Sequence, residues 1–229
     1  MASINNCGTF TQNWFESLAL KNFETLKTLV DINKPINYLE IGCYEGNCHK
    51  WMYENILLNS SSKSTVIDPF EKSLTHPDSY STFTTNLSDH LNKIIIHKGF
   101  SDDVLPTLEK ESFDIIYVDG DHTALAAYND GVNSFPLLKP GGILIFDDYL
   151  WYGPFGRYPS VKFDRCVGGE QNPCKGVNKF FEEYKNKVSS MEGFTPPCNI
   201  IDIDRLYSDE NYKSNCSNIF NYQLFCIKN

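Results

Sequence analysis

The stretch FDIIYVDGDHTALAAYNDGVNSFPLLKPGGILIFDDYLW, residues 113–151, sets Asp119, Asp147 and Asp148 directly after apolar runs that read as buried strands. A carboxylate at the end of a buried strand is costly unless a cation, a donor or a proton compensates it. Three such groups at one edge suit a hard divalent cation such as Mg²⁺, which prefers carboxylate and water oxygens. A cation there would hold neighbouring substrate oxygens and lower the pKa of a hydroxyl. The competing use of an aspartate at such a place is to cap the turn that follows. His122, three residues past Asp119, carries an imidazole suited to taking a hydroxyl proton near neutral pH; a histidine at a helix start can equally be a cap. Asp121 is a weaker candidate for metal or substrate contact, and Asp130 lies further along the following helix.

These groups can meet only if the strands lie side by side with their ends together. Apolar segments in NYLEI, STVID, KIIIHK, FDIIYV and GILIF alternate with helical patterns through residue 148. That alternation implies an α/β fold: a doubly wound, mostly parallel, Rossmann-like sheet with helices on both faces. CNIIDID and NYQLFCIKN read as an antiparallel C-terminal strand pair at the sheet edge. Ligands of such sheets bind beyond the carboxyl ends of the strands, so Glu40, Asp68, Asp119, Asp147 and Asp148 are expected to converge on one rim.

Around this core, residues 11–30 space Trp14, Leu18, Phe23, Leu26 and Leu29 as one amphipathic helix covering the core. Ser101 is expected to cap a helix through SDDVLPTLEKE, with acidic residues in its first turn. KPGG reads as a turn leading into the fifth strand. The Gly-, Pro- and aromatic-rich segment after Trp151 reads as a long functional loop. In it Trp151, Tyr152, Phe155, Tyr158 and Phe163 offer ring faces to an acceptor, and Arg157 and Arg165 offer charge; such aromatics can also simply pack the loop down.

LEIGCYEGNC places Gly42 and Gly46 between the first strand and its helix, where a ligand can approach the backbone amides. Tyr44 and Asn47 stand where a dinucleotide fingerprint would require glycines, which counts against a nicotinamide oxidoreductase. YLEIGCYEGNC resembles the first motif of class I S-adenosylmethionine-dependent methyltransferases. It is closest to the catechol and caffeoyl-CoA type, and from about residue 36 to 151 the region resembles the macrocin O-methyltransferase and cephalosporin-biosynthesis branch. The resemblance implies that Glu40, Gly42, Tyr44 and Gly46 line the methionine part of S-adenosylmethionine. Asp68 would take the ribose hydroxyls, although Pro69 follows it without the usual spacer. Gly99, Phe100 and Ser101 would sit beside the adenine, with Asp119 also at the cofactor. It further implies a divalent cation at Asp119, Asp147 and Asp148, with His122 as general base where the catechol-type enzymes use a lysine.

The expectation is therefore one methyltransferase domain over 1–229: a helical cover (1–35), a cofactor core (36–151), a substrate loop (152–176) and a C-terminal helix with strands (177–229). Its activity would be metal-dependent O-methyl transfer to a hydroxyl of a small molecule or sugar. The alternative is a catalytically silent protein that retains the cofactor fold. A formal net charge of −9 argues against nucleic acid as partner. No signal peptide or spanning segment is visible, so a soluble cytoplasmic protein is expected, with assembly as a homodimer left open. The eight cysteines lack metal-finger spacing and read as mostly reduced thiols; Cys166, Cys174, Cys198 and Cys216 hold the one pairing left open.

Overall fold

The computed structural model describes residues 9–71, 78–149, 173–190, 209, 211 and 223–229. Seven strands form one sheet: β1 (Asn37–Ile41), β2 (Lys63–Asp68), β3 (Ile94–Lys98), β4 (Phe113–Val118), β5 (Leu138–Phe146), β6 (Val188–Ser190) and β7 (Leu224–Lys228). Their order is β3-β2-β1-β4-β5-β7-β6. The first five pair in parallel, and β7 runs antiparallel to both β5 and β6. The order reverses between β1 and β4, which opens a crevice at their carboxyl ends.

Side-chain alternation along β1 divides the core in two. Tyr38 joins Phe23, Trp51, Met52, Phe83, Tyr117 and Phe225 on one face. Leu39 and Ile41 join Ile116, Val118, Phe146 and Phe180 on the other. Helix α3 (Asn47–Asn55) and α4 (Ser79–Asn86, capped by Asp78 on the Ser81 amide) belong to the first layer. Helix α6 (Ala124–Ser134) and α7 (Pro173–Tyr184) pack together on the second. Gly176 lets them touch, because a Cβ there would lie 1.9 Å from the Ala124 carbonyl oxygen.

Four expectations change. The N-terminal helix is broken into a π-type turn at Phe15–Ala19 and two short helices, α1 (Leu20–Phe23) and α2 (Leu26–Leu29). A π-turn adds a residue to the repeat, so Phe15, Ala19, Phe23 and Leu26 face the core while Trp14 and Leu18 stay 53% and 43% exposed. Ser101 is the first residue of α5 (Ser101–Val104), not its cap, and Pro106 converts the next turn to 3-10 geometry. KPGG lies inside β5, where a register shift against Phe113–Ile115 and the left-handed Gly141 absorb it. Residues 173–176 open α7 and do not belong to the preceding loop. Trp151, Tyr152, Phe155, Arg157, Tyr158, Phe163, Arg165 and the CNIIDID segment lie outside the described residues.

Cys43, Cys48 and Cys226 are buried free thiols, and Cys174 is buried as well. Among the described residues no helix is long and apolar enough to cross a membrane.

Gly42 has φ of 80°, and a Cβ there would sit 1.9 Å from the Asp119 carbonyl oxygen. Gly42→Ala should therefore destabilise the fold by more than about 3 kcal/mol, read as a lowered urea midpoint; an unchanged midpoint would refute the close approach of the two turns.

Candidate active site

Each strand hands its last backbone hydrogen bonds directly to the rim. Gly42 N donates to Ile67 O at 2.8 Å, Asp119 N to Ile41 O at 2.8 Å, and Asp147 N to Val118 O at 2.9 Å. Glu40, Asp68, Asp119, Asp147 and Asp148 consequently line one cleft of about 820 Å³. Gly42, Tyr44, Gly99, Phe100, Ser101 and His122 line it too. Gly46 stands behind the turn as the left-handed residue that starts α3; a Cβ on it would meet Phe83 at 2.8 Å.

The five carboxylates are held in different ways. Asp68 accepts the Cys43 and Tyr44 amides on Oδ2, both at 2.9 Å, and the Phe70 amide on Oδ1 at 2.7 Å. It thus builds the glycine turn itself, and a carboxylate has about four acceptor positions, so room remains for one ligand hydroxyl. Glu40 accepts from Tyr38 and pairs with His49. Asp147 turns towards the Tyr117 hydroxyl and Gln223, whose Nε2 donates to Oδ1 at 2.5 Å. Asp148, in the left-handed region at φ 51°, points the other way: its Oδ2 lies 2.5 Å from His122 Nε2.

Asp119 has the weakest support. The Tyr117 hydroxyl is 3.3 Å from its Oδ2, and His122 Nε2 is 3.8 Å from its Oδ1. Burial and the charges of Asp147, Asp148 and Glu40 push its pKa well above the ordinary carboxylate range. Asp147 is pushed up to about 6 by burial and by Asp148, against the hydrogen bonds it accepts. For His122, burial works downwards but the hydrogen bond and charge of Asp148, with Asp147 and Asp121, outweigh it and raise the pKa.

Asp119, His122 and Asp148 place one ligand atom each within 4.8 Å of one another, an arrangement that could hold a metal ion. Of the three aspartates expected as ligands, the geometry gathers Asp119 and Asp148 with His122, while Asp147 is engaged by Tyr117 and Gln223. Asp121 accepts the Thr123 amide at 2.7 Å, an ordinary turn bond ahead of α6.

Several lining groups carry no sequence signal. The N-terminal segment reaches over the cleft with Phe10, Gln12, Trp14 and Leu18. It is fastened by Glu45, which accepts from Thr11 N at 2.7 Å and Thr11 Oγ1 at 2.9 Å, and the Trp14 and Tyr44 rings lie 5.7 Å apart. Glu71 and Cys48 also line the cleft.

A family model described as a methyltransferase domain matches residues 39–149. An uncharacterized protein of Acanthamoeba polyphaga mimivirus is 26% identical over 151 residues, which cover 62% of this chain and 65% of that protein. The match thus spans a little under two thirds of that relative's length. Among solved structures, an O-methyltransferase from Bacillus cereus in complex with SAH has a TM-score of 0.54 at 20% identity, over 76% of this chain and 74% of that one. The O-methyltransferase TomG from Streptomyces achromogenes, involved in tomaymycin synthesis and in complex with SAM, has a TM-score of 0.54 at 18% identity, over 76% and 73%. At these identities the structural likeness establishes the fold.

Under the rim lies Asp130, which is 2% exposed. Burial pushes its pKa up to about 7, a hydrogen bond with Ser101 opposing and Asp102 and Asp121 adding to the rise. Its folded-state pKa exceeds the unfolded one, so stability is lost as pH rises from about 4 to about 7 and none is lost below. Asp130→Asn should therefore stabilise the protein by a few kcal/mol at about pH 8 and by little at about pH 4; a gain independent of pH in denaturant titrations would contradict this.

Proposed function

We propose that the protein, whose residues 39–149 match a methyltransferase-domain family model and whose sheet has the fold of solved O-methyltransferases, transfers the methyl group of S-adenosylmethionine to a hydroxyl oxygen of a small molecule or sugar, with a divalent cation at its acidic rim. The observation that carries the reading is the shared cleft: the glycine turn and the Asp119–His122–Asp148 cluster open into the same space. At about 820 Å³ it is in the range of small-molecule and cofactor sites.

The sulfonium supplies its own leaving group. An acceptor oxygen forms the new bond to the methyl carbon as the carbon–sulfur bond breaks, and the electron pair leaves with S-adenosylhomocysteine. The protein has to align the three atoms, exclude water and take the hydroxyl proton. His122 is the group built for that proton: Asp148 orients the ring at 2.5 Å and steadies the imidazolium that results. Trp14 and Leu18, exposed at the mouth of the cleft, give the acceptor an apolar wall.

The donor set fits a cation. Its one imidazole nitrogen and two carboxylates suit Mn²⁺, Fe²⁺ or Zn²⁺ as well as Mg²⁺. Asp119, His122 and Asp148 would hold it, and it would offset their charge and polarise the acceptor hydroxyl. A cation would take His122 Nε2, whereas with Nε2–H donated to Asp148 the nitrogen that takes the proton is Nδ1, so the protein's dependence on metal decides between the two roles.

Asp148→Asn should lower kcat by about 100-fold or more while S-adenosylhomocysteine affinity stays within about threefold, measured by turnover and calorimetry. Exhaustive chelation of the wild type should lower turnover similarly, with Mn²⁺ restoring it. Unchanged turnover after chelation would remove the cation and leave the proton to His122 and Asp148; unchanged turnover in Asp148→Asn would remove this site altogether.

A further inference from the structure

Beneath the glycine turn runs a chain of buried polar groups that the transfer chemistry does not use. Glu40 Oε2 and His49 Nδ1 are 2.6 Å apart, with side chains 2% and 0% exposed. His49 Nε2 is 2.8 Å from Ser64 Oγ, which is 2.9 Å from the Tyr53 hydroxyl. Tyr53 in turn donates to the Lys93 carbonyl oxygen at 3.1 Å.

The far end gives this chain its direction. A carbonyl only accepts, so the single Tyr53 hydrogen points to Lys93. Ser64 then donates to Tyr53, and His49 donates to Ser64 through Nε2–H. With Nε2 protonated, the contact between Nδ1 and Oε2 contains a further proton, which the Glu40–His49 pair shares.

Serine, histidine and carboxylate in this order have the arrangement of a hydrolytic triad, but Ser64 is 2% exposed and no substrate reaches it. The chain opens at the other end. Tyr38 also donates to Oε2, at 2.9 Å, so both described partners of Glu40 hold the same oxygen. No buried side-chain oxygen among the described residues lacks a partner, so Oε1, which has none among them, faces the cleft that Glu40 lines.

We propose that His49 is a positioning residue, which holds Glu40 turned so that Oε1 receives the ammonium group at the amino-acid end of the cofactor. A carboxylate buried alone at a strand end would neutralise or turn away. His49 supplies the compensating partner from behind, and Ser64, Tyr53 and the Lys93 carbonyl fix the ring. The inference rests on the methyltransferase reading, and its test separates the two.

Two ligands are titrated calorimetrically into the wild type, His49→Gln and Tyr38→Phe: S-adenosylhomocysteine, and 5′-methylthioadenosine, which lacks the amino-acid end. His49→Gln should weaken S-adenosylhomocysteine about tenfold or more and methylthioadenosine by less than about twofold. Tyr38→Phe, which keeps the ring volume and removes one donor to Glu40, should act in the same direction by about threefold, and it carries the test if His49→Gln does not fold. Equal losses for both ligands, or no loss for either, would overturn the proposal and leave His49 as a packing residue. A wild type that binds neither ligand would overturn the methyltransferase reading instead.

Discussion

The cost of keeping negative charge at the ends of buried strands organises this molecule. Five carboxylates line one rim, and each requires its own compensation. Backbone amides serve Asp68, the buried imidazole of His49 and the Tyr38 hydroxyl serve Glu40, Tyr117 and Gln223 serve Asp147, and His122 serves Asp148. Asp119 is left with distant partners, and burial with three neighbouring charges pushes its pKa well above the ordinary carboxylate range. The remaining charge demand therefore points into the cleft, where a cationic cofactor, a divalent cation or a proton can meet it.

The compensation also ties the periphery to the rim. Gln223, just before β7, holds Asp147 through its amide nitrogen, while its oxygen accepts from Asn22 of α1 at 2.6 Å. Both amides are buried, so a break at either leaves polar atoms stranded. The N-terminal cover, the antiparallel edge and the acid pair after β5 are coupled through these few bonds. Glu45 adds a second fastening by binding Thr11. The segment that roofs the cleft is thereby anchored in the same turn that forms its floor.

Much of this was legible in the residues alone. Apolar runs ending in acids identify β1, β2, β4 and β5 and their common rim, because parallel strands bury both faces and expose only their ends. Gly42 and Gly46 were legible because their backbone conformations admit little else. The π-turn was not: Trp14 and Leu18 keep helical spacing in sequence, and only packing against Trp51 and Phe225 selects Phe15 and Phe23 for the core. Asn22 and Gln223 lie 201 positions apart, and no local pattern couples them. Nor does sequence distinguish Asp147 from Asp148; the left-handed backbone at Asp148 sends two adjacent carboxylates to different partners. Ser101 looks like a cap by type, yet it is the first residue of α5 and Phe100 stands at the cap position.

Diffraction from crystals grown with S-adenosylhomocysteine and Mn²⁺ tests the shared cleft most directly. The amino-acid end of the ligand should lie against Glu40 and the Gly42–Gly46 turn, with its sulfur facing the cluster and an anomalous peak among Asp119, His122 and Asp148. A ligand bound away from that turn, or an ion held by other residues while the cluster stays empty, would contradict the account.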